Sequence, residues 1–119
     1  MAAHSKQNPL PPCPFTPNCV RTSKKFNTGI EKLLDLTIQI LEERAHSFEV
    51  RDPKRIHIHA VYKISVFGFK DDVDIILKES EGSTTVFIRS ASRLGAFDFW
   101  VNQWRVKQTF RLLESNISP

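Results

Sequence analysis

Between residues 89 and 105 the chain reads RSASRLGAFDFWVNQWR, which sets Arg89, Arg93 and Arg105 among Ser90, Ser92, Asp98 and Asn102. Guanidinium groups near the amides of a helix start can hold a carboxylate, phosphate or sulfate. Upstream, FGFKDDVDI brings Asp71, Asp72 and Asp74 together, and a carboxyl with a shifted pKa beside open space could do hydrolytic or acid–base work with the three arginines. The same carboxylates neutralise most of the basic groups, so a polar seam that holds the fold together is the stronger reading. Ser90 and Ser92 have no neighbouring histidine in sequence to activate them, and a triad would have to assemble in space. The expected function is therefore binding or assembly: an Arg/Asp/Asn-lined surface, or a tryptophan patch, presented to a partner or a small anionic ligand. The alternatives are an enzyme built on Asp71 or Asp72, or a metal or redox role for cysteines.

The two cysteines lie in CPFTPNC, with Cys13 and Cys19 close enough for a disulfide if the prolines bend the loop. Free packed thiols suit a reducing compartment, and a metal or redox role is the third option. His57 and His59, two apart on a strand face, read as solvated side chains; their spacing with the cysteines is not a recognised zinc pattern. No metal and no cofactor is expected. Trp100 and Trp104 fall four apart beside Lys107 and Arg111, as half-buried core-edge residues or as interface anchors.

These residues need a scaffold, and 119 residues at 40% hydrophobic and 25% charged describe one domain with a single core. The net charge of +4 lies near the N-terminus: Lys6, Arg21, Lys24 and Lys25 stand there without an acid, while the remaining 13 basic residues face all 13 acidic ones. A neutral body argues against nucleic acid. No stretch approaches the roughly 20 apolar residues of a membrane-spanning helix, so a cytoplasmic location is expected, with peripheral membrane contact through the tryptophan patch as the remaining membrane option.

Residues 1–26 are proline-rich and basic, and a single α+β domain is expected over 27–119. Thr28-Gly29-Ile30-Glu31 matches a capping box, and Ile30, Leu33, Leu34, Thr37, Ile38, Leu41 and Ala45 form one apolar stripe behind it. Three alternating runs follow, around residues 56–64, 73–77 and 86–90, and a closing helix from Phe97 carries Phe99, Val106, Phe110 and Leu113. The predicted fold is helix, three-stranded antiparallel meander, helix, with both helices on one face. A two-residue Glu81-Gly82 loop pairs Leu77 with Val86, Ile75 with Ile88 and Asp74 with Arg89, the last as a cross-strand ion pair. Matching buried faces across FGFKDD sets Tyr62 beside Ile75 and Lys63 beside Asp74. Val61, Ile76 and Phe87 then form an outer apolar row suited to a protein partner or to self-association.

PCPFTPNCV, FGFKDDVDI and RSASRLGAFDFWVNQWR resemble the three signature stretches of an uncharacterised family, domain of unknown function 1499. The resemblance runs through Cys13, Asn18, Cys19, Phe67, Phe69, Asp71, Asp72, Arg89, Ser90, Ser92, Arg93, Gly95, Asp98, Asn102 and Arg105. It implies bacterial or plastid membership, in some members with membrane segments ahead of the domain, which this sequence does not show. It brings no activity, substrate or cofactor, and it directs attention to those positions.

Overall fold

The computed structural model of the chain describes residues 8–14, 18–52, 56–64, 68–93 and 100–117. Five strands and two helices follow in the order β1 (Cys19–Phe26), α1 (Ile30–Arg44), β2 (Ser47–Asp52), β3 (His57–Ile64), β4 (Phe69–Ser80), β5 (Ser83–Ser92) and α2 (Val101–Ile117). The strands make one antiparallel sheet ordered β1-β5-β4-β3-β2. This corrects the three-stranded meander: the fold remains α+β, but each edge gains a strand. β1 (CVRTSKKF) and β2 (SFEVRD) carry too many charges to show an apolar alternation. That is how edge strands are commonly written, because their outer sides stay in water.

Inward residues of the three central strands, among them Ile58, Ala60, Tyr62, Val73, Ile75, Leu77, Val86 and Ile88, join Leu33, Ile40 and Leu41 of α1 and Val106 and Leu113 of α2 in one core. Both helices therefore cover the same face. The predicted capping box is not formed, since α1 starts after Gly29 without a side-chain cap of its own. Instead the Ile30 amide donates to Glu79 Oε2 of β4 at 2.9 Å, and Thr84 Oγ of β5 donates to the Thr28 carbonyl at 2.7 Å. A carboxylate at the helix start suits the dipole whichever element supplies it, and here the sheet does.

The β4–β5 hairpin turns at Glu81 and Gly82, with φ of 53° and 80°. Two successive positive φ angles match the right-handed twist of the strands, and the register is the expected one: Ser80 faces Ser83, Leu77 faces Val86 and Asp74 faces Arg89. Between β3 and β4 the register differs by four residues: Tyr62 faces Asp71, not Ile75, and Asp74 faces His59, not Lys63. The physical reason is that Phe69 to Asp72, expected to be loop, already belong to β4. The shift is even, so every side chain keeps its face. It nevertheless removes the predicted outer row, because Val61 now faces Asp72 while Ile76 lies between His57 and Phe87.

Residues 8–14 form a strap tied to the sheet beside β1 and β5. Arg21 Nε and Nη2 donate to the carbonyls of Leu10 and Asn8 at 3.0 and 3.1 Å, and Arg89 Nε donates to that of Pro11 at 3.1 Å. Leu10 is buried, as is Phe87, which faces outward from β5. A Cys13–Cys19 disulfide joins the strap to the first residue of β1.

Candidate functional site

The candidate residues divide between the two faces of the sheet. Asp71, Ser90 and Ser92 point inward by strand alternation and meet Asn102 and Arg105 on the first turns of α2. Asp71, Ser90 and Asn102 are fully buried, and Arg105 is 8% exposed. Asn102 accepts from Ser90 Oγ and, at 2.9 Å, from Arg105 Nη1; its amide donates at 3.0 Å to Ser92 Oγ and to the Asn18 carbonyl. Arg105 Nη1 also donates to Ser90 Oγ at 3.1 Å. The same nitrogen lies 2.8 Å from Asp71 Oδ2, yet neither Asp71 oxygen receives a directed hydrogen bond among the described residues. The two facts agree once the protons are assigned. Both Nη1 hydrogens are aimed at Ser90 and Asn102, so the carboxylate is held by charge rather than by a shared proton.

On the outer face the expected Asp74–Arg89 ion pair is replaced, although the two residues do face each other. Asp74 Oδ1 is contacted by His57 Nε2 and His59 Nδ1, each at 3.0 Å, and Arg89 serves the strap. Arg93 instead grips both oxygens of Asp72 at 2.9 Å, while His59 Nε2 lies 3.2 Å from that carboxylate. The Arg93 fork and its charge, helped by His59, hold the Asp72 carboxyl below the ordinary carboxylate range against a smaller opposing effect of burial. His57 and His59 are thus partners of aspartates, where the sequence reading has them solvated. They also lie across the sheet from Ser90, which rules out their activating it. The cysteines, being bridged, are not thiolate ligands. Asp98 falls outside the described residues, as do Phe67 and Gly95.

The buried Arg105 reaches a pocket that sequence spacing did not reveal. It is a cavity of about 290 Å³ lined by Arg44 at the end of α1, Tyr62 of β3, and Trp104, Arg105, Gln108 and Thr109 of α2. The Arg105 guanidinium carbon stacks 4.5 Å above the Tyr62 ring, an arrangement that pins the guanidinium plane. Trp104 stands at the mouth and is 61% exposed, more open than a core-edge residue. Among the described residues no carboxylate lines this cavity. Arg44 escaped the sequence reading because a basic residue in the last turn of a helix is already explained by the dipole. Tyr62 was visible only as an inward strand residue.

Burial pushes the Tyr62 phenol above its ordinary value of 10.0, outweighing the opposing pull of the Arg105 and Arg44 charges. A proton held more tightly in the folded state gives stability that is complete below the unfolded pKa and lost as pH rises through the folded one. The chain has one tyrosine, so its ultraviolet absorbance titration reports this site alone. We expect tyrosinate to appear above pH 10.0 and together with alkaline unfolding, and the Tyr62→Phe protein to lose that component of the alkaline transition. A free-tyrosine titration in the folded protein would contradict the burial argument.

Taken together, the sheet, the two helices on one face and the arginine-lined cavity between them define a small α+β domain with a basic pocket. The chain belongs to the family described as Protein of unknown function (DUF1499), whose model matches residues 9–113. Its fold is similar to that of CalU16 from Micromonospora echinospora, with a TM-score of 0.54 and 15% identity over 85% of this chain and 76% of that one. TTHA0849 from Thermus thermophilus aligns with a TM-score of 0.36 and 13% identity over 83% of this chain and 88% of its own. No curated protein matches the sequence. Among the described residues no helix is long and apolar enough to cross a membrane.

Proposed function

We propose that the domain binds a small anionic organic molecule in the pocket bounded by the end of α1, β3 and α2, and does so without catalysis. One observation carries this reading. Two guanidinium groups from different elements, Arg44 and Arg105, converge on a cavity lined by no carboxylate among the described residues. Arg105 is already oriented by Asn102 and Ser90 on one side and Tyr62 on the other. A preset guanidinium loses little freedom when it accepts a ligand. Trp104 supplies an open aromatic surface for the ligand's apolar part. An acid–base role for the aspartates has less support, since Arg93 engages both oxygens of Asp72 and Asp71 is not among the residues lining the cavity.

The test is a fluorescence titration of the Trp100→Phe protein, which isolates Trp104, against aromatic carboxylates and aryl phosphates. Binding should change the Trp104 emission, and Arg44→Gln should weaken it roughly tenfold, about 1.4 kcal/mol, with the melting temperature unchanged because Arg44 is exposed. Affinity insensitive to Arg44, or no response across the panel, would defeat the reading.

The cytoplasmic location expected from the sequence stands against the disulfide, because cytosolic thiols are ordinarily kept reduced. We read the Cys13–Cys19 bridge as favouring an oxidising compartment. Protein trapped with a thiol-blocking reagent at cell lysis should then carry no added label, and quantitative labelling of both cysteines would return it to the cytoplasm.

A further inference from the structure

Beside the first cavity lies a second of about 280 Å³, lined by Arg44, Ala45, His46 and Lys63, and Arg44 is the wall common to both. Each is near the lower limit of about 300 Å³ for small-molecule sites, so a ligand using both is better enclosed than one using either. Charge points the same way. Arg44, Arg105 and Lys63 contribute three positive groups, and Asp71 compensates only Arg105. Neither Arg44 nor Lys63 is in an ion pair among the described residues. The carbonyls at the end of α1 oppose an anion there, but the Leu41 carbonyl is occupied by the Ala45 amide at 2.9 Å. The partial charge remaining is smaller than that of the two cations facing it.

We infer that the ligand is an organic dianion, with one anionic group held between Arg105 and Arg44, a second between Arg44 and Lys63, and an apolar, planar body against Trp104. This rests on the binding reading above and adds the ligand's charge and length to it. The two uncompensated cations, Arg44 and Lys63, are matched by two anionic groups, whereas a monoanion leaves Lys63 unanswered. His46 lines the outer end beside Lys63.

A matched pair of probes tests the inference: a biphenyl monocarboxylate and the corresponding biphenyl dicarboxylate, titrated into the Trp100→Phe protein. The dicarboxylate is expected to bind on the order of tenfold more tightly. Lys63→Gln should remove that advantage while leaving monocarboxylate affinity and the melting temperature unchanged. Equal affinities for the two probes, or an advantage that survives Lys63→Gln, would overturn the dianion inference and leave the binding reading standing. If neither probe binds, both fall.

Discussion

Replacing Arg105 by methionine is expected to destabilise the domain by about 3–5 kcal/mol, the usual cost of stranding one member of a buried ion pair. Asp71 would be left without a counter-ion at 0% exposure, and Ser90 and Asn102 would lose a shared donor. Urea denaturation of the two proteins measures the difference. The cost should fall sharply when Asp71→Leu is added, because an apolar pair needs no compensation in the same space. A loss below about 1 kcal/mol for Arg105→Met alone, the range of exposed pairs, would mean that Asp71 is not held as described.

Asn102→Leu is the second large effect. The volume is nearly kept, but four hydrogen bonds among the described residues vanish at once: those from Ser90 and Arg105, and those to Ser92 and the Asn18 carbonyl. The Asn18 carbonyl keeps the Ser92 amide and Arg105 keeps Ser90 and Asp71, but each buried group deprived of one partner costs about 1–3 kcal/mol, so a combined loss of about 3 kcal/mol is expected. Because Asn102 and Arg105 share partners, the double variant should lose less than the two single losses combined, by more than about 0.5 kcal/mol. Strict additivity would show that they do not act as one network.

How much of this was legible beforehand follows from the range over which each signal acts. The β4–β5 register could be read because Glu81-Gly82 permits one tight turn and every pair follows from it. The β3–β4 register could not: FGFKDD resembles a loop by composition, and only the structure shows that Phe69 is already in a strand. β1 was hidden because Val20, Thr22, Lys24 and Phe26, its inward residues, include a lysine whose stem lies along the surface and whose ammonium pairs with Glu114 at 2.8 Å. Within RSASRLGAFDFWVNQWR, alternation correctly separated the outward arginines from the inward serines. The partners were less accessible, since His57 and His59 reach Asp74 only through the corrected register. The pocket was least accessible of all. It joins the end of the first helix to the last one across β3, and no periodicity within one segment reports such a meeting.

The strap has a consequence for how this molecule behaves in crowded solution. A row of unpaired amides and carbonyls along a sheet border invites a neighbouring copy to add its own strand. Here the Asn8 side chain already occupies the Thr22 carbonyl at 3.4 Å, and the covalent bridge at Cys19 keeps the leading segment nearby when thermal motion loosens it. Cutting that bridge would uncover β1 for intermolecular pairing, so colloidal behaviour under reductant becomes a property of seven residues near the front of the chain and not of the core.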